Sequence, residues 1–244
     1  EMSASLVGSE MCIRDRDHHV IMKKYRMFLY GMIVAALGIS MITKAELGTS
    51  PITSPSYVLT FIFPYSLGVF VLAVNSTLFL FECLVLGRSF KKIQLLQLPA
   101  TLIFSACIDG WMWVLSFWTP VFYVQKVLLL LAGCAALGLG VALEVVPDVL
   151  ILPGEGLVRA VSRRKNWDFG IVKTCFDMSL VLTAVLLSVL CLGHVEGIRE
   201  GTVAAAFLVG GISKFFIRHI TEFDRNHRAL FVREEEEILL VPEK

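Results

Sequence analysis

The sequence predicts an all-α, polytopic membrane protein with six transmembrane helices arranged as two inverted three-helix repeats. Three observations lead there. The 244 residues are 56% hydrophobic and only 18% charged, whereas soluble domains run at about 45–50% and about 25%. The apolar residues gather into six runs, each close to the roughly 20 residues that cross a bilayer core. Finally, Lys and Arg alternate between rich and poor in successive connecting loops. Helices are required because an open sheet would leave backbone groups unpaired in lipid. The net charge of +1 provides no field to hold a nucleic acid, so none is expected as a partner.

Residues 1–21 are read as an N-terminal leader. Its first part, EMSASLVGSEMCIRDR, has the character of translated adaptor sequence and is expected to be artefactual, with Met22 as the natural start. The basic opening Lys23, Lys24 and Arg26 lacks a small-residue cleavage site after it, so the following run is read as a retained helix. The runs are Tyr25 to Ile42, Ser66 to Leu86, Leu98 to Trp118, Val121 to Leu143, Phe169 to Leu192 and Thr202 to Ile220. Lys214 and Arg218 interrupt the last. Basic residues mark the amino end, the second loop (Arg88, Lys91, Lys92), the fourth (Arg159, Arg163, Arg164, Lys165) and the tail (Arg218, Arg225, Arg228, Arg233). The positive-inside rule therefore places both termini in the cytoplasm. Trp118, Phe122 and Tyr123 are expected at the outer interface and Trp167 at the inner one. The charged stretch 221–244, with Glu234 to Glu237, is read as a cytoplasmic tail.

An internal repeat divides the chain into 22–120 and 121–220. Ala36-Leu37-Gly38 recurs as Ala136-Leu137-Gly138, Pro51 corresponds to Pro153, Leu67-Gly68-Val69 to Phe169-Gly170-Ile171, and Asn75 falls on Asp177 at an offset of about 102. Three helices per repeat is an odd number, so the second half enters the bilayer from the opposite side. The two Pro-containing loops, LGTSPITSP and ILPGEGL, each read as a short helix opened by proline. Such a helix is expected to lie at the interface; the alternative is a segment dipping into the membrane with free amides facing an anion, at Ser50 and, less well, Gly154.

Ionisable groups inside a bilayer cost about 2.5–3.5 kcal/mol each at a helix centre. They are therefore the first candidates for a substrate or ion site. Lys173 and Asp177, four apart on one helix face, offset each other's charge; they read either as part of a substrate or ion site or as a structural ion pair, or as a Lys173 that snorkels to the surface. Asn75 and Asp177 fall mid-helix and face each other across the repeat axis. Asp109 falls mid-helix as a protonatable carboxyl or one bonded to a neighbouring helix. Glu82 is expected to reach the interface and is set aside. Gly154 and Glu155 open the fourth loop. The candidate substrate-binding residues are thus Asn75, Asp109, Gly154, Glu155, Lys173 and Asp177. Gly133, Gly138, Gly140, Gly210 and Gly211 are expected to permit close helix contacts. Cys83, Cys107, Cys134, Cys175 and Cys191 lie in apolar runs, so neither disulfides nor a metal site are expected.

LGTSPITSP, IDG at Ile108 to Gly110, PGEGL at Pro153 to Leu157, FGIVKTCFD at Phe169 to Asp177 and REGT at Arg199 to Thr202 together resemble the YczE/YyaS/YitT group of bacterial membrane proteins, over about Met22 to Ile220. The resemblance implies a multi-pass protein of the bacterial cytoplasmic (inner) membrane, mostly of unknown function. The expected function is a small secondary transporter for an unknown small molecule or ion, with its site between the repeats; the alternative is a non-transporting accessory or scaffold protein. No catalytic constellation is visible, so no enzyme and no cofactor are expected. The lipid bilayer is the expected partner, and a homo-oligomer is left open.

Overall fold

The computed structural model describes residues 2–87, 90, 92–147, 149–167 and 169–239, with side chains described between residues 22 and 222. Arg88 and Lys91, on which the loop charges lean, lie outside the described residues, as do residues 240–244; the side chains of the leader and of the tail from 223 lie outside them too. Eight helices follow: α1 (Met2–Lys44), α2 (Ser54–Ile62), α3 (Leu67–Leu86), α4 (Gln97–Val114), α5 (Tyr123–Val145), α6 (Pro153–Lys165), α7 (Phe169–Leu192) and α8 (Glu200–Leu239), with no strand among the described residues. Among the described residues six stretches are long and apolar enough to cross a membrane: Met22–Lys44, Leu67–Leu86, Ile93–Phe117, Tyr123–Val145, Ile171–Leu192 and Glu200–Glu222. They coincide with the six apolar runs, including the one holding Lys214 and Arg218.

The burial pattern is that of a membrane protein. Leu84, Phe117, Leu190 and Phe207 are exposed, whereas Ser40, Thr49, Ser54 and Thr101 are fully buried. Soluble monomers do not cover themselves in apolar surface on this scale. In lipid the outward Leu and Phe are at home, and polar side chains turn inward to find partners. The chain is an integral, multi-pass membrane protein. Trp118, Phe122, Tyr123 and Trp167 are all exposed at helix ends.

Local chemistry sets the helix ends. Ser66 caps α3 by accepting from Val69 N at 3.3 Å. Gln125 Oε1 accepts from the amides of Val121 and Phe122 before α5. Pro51 opens a 3-10 turn that leads into α2, and Pro153 opens α6, where a missing N–H costs nothing. α6 ends at Asn166 in the left-handed conformation (φ 54°), a conformation Asn tolerates. Arg163, Arg164 and Lys165 in its last turn complement the helix dipole.

The central contact is α1 against α5. A Cβ on Gly38 would lie 2.4 Å from Leu137 N, and one on Gly140 2.4 Å from Ala35 N. Gly31 similarly meets Glu144 N, and Gly133 meets Ile42 N, both at 2.9 Å. Rising numbers on α1 meet falling numbers on α5, so the helices are antiparallel and touch backbone to backbone, as small residues allow. α8 packs on α5 through Gly138 and Ile212. Gly210 and Gly211 do not share this role, because open space lies where their side chains would be. α4 packs on α1 and α3, α6 on α3 and α7, and α2 on α3 and α7.

The second short helix, α6, differs from the interfacial arrangement expected. Gly154, at the start of α6, lies against Leu78 near the middle of α3, and Gly156 lies against Glu82. Toward the other end, Arg164 donates to Val85 O. α6 therefore runs alongside the second half of α3 rather than across its end. Burying one face against α3 gives a 13-residue helix the tertiary support that so short a helix needs.

Gly140→Ala is expected to destabilise the fold by about 1–3 kcal/mol, the usual cost of overpacking, because the added methyl meets the backbone of Ala35. Gly110→Ala, which meets nothing within 4 Å, should leave stability unchanged or raised by up to about 1 kcal/mol through helix propensity. Thermal unfolding in detergent compares the two.

Candidate functional site

The start of α6 is the point where charged groups converge. Pro153, Gly154 and Gly156 are buried there. A Cβ on Gly154 would meet Ile52 Cδ1 at 2.3 Å, so the tip of α6 touches the 3-10 turn that precedes α2. Glu155, one residue on, is partly buried. It lies within electrostatic range of Lys173 and Asp177 on α7 and of Glu144 on α5. Lys173 Nζ and Asp177 Oδ1 are 2.9 Å apart, with about a quarter of each side chain exposed (27% and 25%). Burial lifts the Glu155 carboxyl above its ordinary range; Lys173 opposes this and Asp177 reinforces it. A carboxylate in the first turn of a helix also gains from the helix dipole.

The structure thus brings together Gly154, Glu155, Lys173 and Asp177, four of the six residues the sequence singles out. The other two are engaged elsewhere. Asn75 is buried and donates to Val71 O of its own helix at 3.0 Å, and no hydrogen bond joins it to Asp177 among the described residues. Asp109 lies beside the amino end of α3. Its Oδ1 accepts from Gly68 N at 2.7 Å and its Oδ2 from Ser66 Oγ at 2.6 Å. It is a carboxyl bonded to a neighbouring helix, one of the two readings given above, and it satisfies an amide that a helix start leaves open.

Three features escape sequence reasoning. Glu82 does not reach the interface: it is 1% exposed, because α6 covers it. Its Oε1 accepts from Gln94 Nε2 at 3.2 Å and Gln97 Nε2 at 3.3 Å, while its Oε2 has no hydrogen-bond partner. Glu144, just beyond the end assigned to its apolar run, is also buried, and its Oε1 is likewise unpartnered. The third is a cluster of hydroxyls at the 3-10 turn. Thr49 Oγ1 bridges Thr43 Oγ1 at 3.1 Å and Thr53 Oγ1 at 2.8 Å. Ser50 Oγ reaches Thr53 at 2.8 Å, and Thr202 Oγ1 accepts from Thr49 N at 3.1 Å. The signal was present in the density of Thr and Ser in LGTSPITSP, but hydroxyls cost too little in lipid to stand out against charges.

A cleft of about 980 Å³ opens between α3, the start of α4 and α6. Glu82, Gln94 and Gln97 line it on one side and Arg159, Arg163 and Arg164 on another.

Residues 22–218 match the family of unknown function DUF6198. The chain belongs to DUF6198. The DUF6198 region takes in both short helices, the charged groups at the start of α6 and the cleft, and it ends within α8. No curated protein and no solved structure matches the chain.

Removing one partner of the Lys173–Asp177 pair should hurt more than removing both. Exposed i,i+4 pairs contribute about 0.3–0.5 kcal/mol, whereas breaking a fully buried pair costs about 3–5 kcal/mol. A quarter-exposed pair with Glu155 nearby lies between, so Asp177→Asn is expected to cost roughly 1–3 kcal/mol. Lys173→Met with Asp177→Leu should recover most of that loss in thermal unfolding. Single variants as stable as the unmodified chain would show that the pair does not act as one.

The raised Glu155 carboxyl has a definite sign. A group that binds its proton more tightly when folded contributes stability that is complete below its ordinary value of 4.5 and lost as pH rises through the raised one. As pH rises above the ordinary value of 4.5, the unmodified chain should lose a stability increment that Glu155→Gln retains, measured as unfolding temperature against pH.

Proposed function

We propose that the chain is a small secondary carrier of the bacterial cytoplasmic (inner) membrane, with both termini cytoplasmic. Its substrate site lies between two inverted three-helix repeats, 22–120 and 121–220. The observation that carries this reading is the meeting of Ile52 and Gly154, two positions that correspond under the repeat. The packing supports it. α3 rests on α6 as α7 rests on α2, α2 on α3 as α6 on α7, and α1 on α4 as α5 on α8, while α1 pairs with α5. Exchanging each helix for the one four places on reproduces these contacts, which supports the repeat, although the α3–α4 contact has no α7–α8 counterpart of like extent. Inverted repeats with interrupted helices whose amino ends point at a midplane site are a recurrent carrier plan. The resemblance to the YczE/YyaS/YitT group agrees on location.

In this reading Gly154 contributes backbone at the site, and Glu155, Lys173 and Asp177 supply its charge and a titratable carboxyl. Asp109 is a structural cap, and Asn75 braces α3. The accessory alternative has no particular feature of the site in its favour, since a scaffold has no need of partly paired carboxylates in its interior.

Orientation and activity are tested together. In a cysteine-free background, a cysteine at Val195 should react with an impermeant maleimide from outside the cell, and one at Lys165 only after the inner face is opened. In proteoliposomes holding a pH-sensitive dye, a panel of amino acids, carboxylates and monovalent cations should contain one class with saturable flux. Asp177→Asn should abolish that flux. Correct orientation with no flux for any class would overturn the carrier in favour of the accessory role.

A further inference from the structure

We propose that the cleft between α3, the start of α4 and α6 binds a small zwitterion, with its ammonium group on Glu82 and its acid group on the arginines of α6. The argument begins with Glu82. A buried carboxylate oxygen without a partner is a costly thing to keep. Oε1 is held by two glutamine amides, which fix the carboxyl plane, whereas Oε2, covered by the backbone of Gly156, has no hydrogen-bond partner, so an incoming ammonium would reach the carboxyl from the cleft and supply the missing donor. Only glycine permits this approach, since a Cβ at position 156 would stand 2.6 Å from Oε2. The residue is 1% exposed yet lines a space of about 980 Å³, at the upper end of what small-molecule pockets offer.

The opposite charge lies along α6. Arg163 is seven residues beyond Gly156, which at the helical rise places its Cα roughly 10 Å away. Seven residues is two helical turns, so Arg163 shares the face of α6 that carries Gly156 and lines the cleft at its exposed rim. Arg164, beside it, donates to Val85 O at the end of α3, which fixes the rim on that side. Arg159 lines the intervening turn. Guanidinium groups suit carboxylate and phosphate through paired N–H donors. The rest of the lining is largely apolar and includes Val85, Ile93, Leu150 and Ile151. An ammonium at one end, an acid at the other and a few methylenes between them match this sequence of surfaces. A plain anion would meet the Glu82 carboxylate, and a plain amine would leave the arginine rim unused. The same chemistry is offered by a free amino acid of the 4-aminobutanoate type and by an ethanolamine phosphate headgroup.

The inference is independent of transport, because binding alone is measured. The full chain, purified in detergent, is titrated calorimetrically with 4-aminobutanoate, 6-aminohexanoate and O-phosphoethanolamine, and with butylamine and butanoate as single-charge controls. It is then placed in nanodiscs with and without phosphatidylethanolamine. At least one zwitterion should bind, and the single-charge controls should bind at least about tenfold more weakly, the scale of one charge-assisted hydrogen bond. Glu82→Gln and Arg163→Gln should each weaken the zwitterion by about tenfold or more. Unliganded unfolding temperatures close to that of the unmodified chain would show that the variants are folded; if Glu82→Gln is not, Arg163→Gln at the exposed rim carries the test. Binding of free solute unaffected by phosphatidylethanolamine assigns the site to a solute, and competition by that lipid assigns it to a headgroup. Absence of binding by every zwitterion in both settings, equal binding of butanoate, or full affinity in Arg163→Gln would overturn the proposal.

Discussion

The contact on which the rest depends is the backbone-to-backbone crossing of α1 and α5. With glycine or alanine at Gly31, Ala35, Gly38, Gly133 and Gly140, the two helices approach until no side chain fits between them. In lipid there is no hydrophobic force to drive helices together, so close van der Waals contact of this kind does the work. The crossing also fixes what lies at either end. Toward one end Thr43 joins the hydroxyl cluster of the first short turn; toward the other Glu144 is pressed against Gly31. The two short helices pack instead on α3 and α7, which both of them share.

The polar interior follows from the same constraint. Once the lipid-facing surface is given to Leu and Phe, hydroxyls and carboxyls have only the protein itself to bond with. Asp109 shows the satisfied case, with both oxygens used at the amino end of α3. Glu82 and Glu144 show the unsatisfied one. An unfulfilled polar group in a membrane interior is maintained at a cost, and it is the difference between these two kinds of carboxyl, more than their number, that points to where a ligand belongs.

Much of this was legible in the sequence. The six helices are written in apolar runs whose lengths bilayer thickness dictates, and Pro51 and Pro153 marked the first turns of both short segments. Lys173 and Asp177 were paired correctly because spacing along one helix is a local property. What failed was depth. Glu82 lies four residues from the end of α3, and counting along that helix alone places it near the surface; α6, more than seventy residues away in the chain, buries it. Glu144 was hidden by the same limit, since it sits at the edge of a run whose neighbour, Gly31, belongs to another helix. Asn75 bonds back to Val71 O of its own helix, a detail the repeat offset cannot give, since an offset specifies which residues correspond but not which way each side chain turns. Gly210 and Gly211 looked like packing glycines because composition cannot distinguish a helix face that meets a neighbour from one that does not.

The seam between Ile52 and Gly154 has an electrical meaning on the carrier reading. A water-filled cleft carries the potential of the compartment it opens to, so the voltage across the membrane falls mainly over the dry material that remains. On that reading the contact of Ile52 with Gly154 belongs to that dry material. A charge crossing the full membrane field exchanges about 2.3 kcal/mol per 100 mV, and focusing concentrates that work into a few ångströms. On the same reading a proton that binds or leaves Glu155, adjacent to the seam, would do work against the membrane voltage.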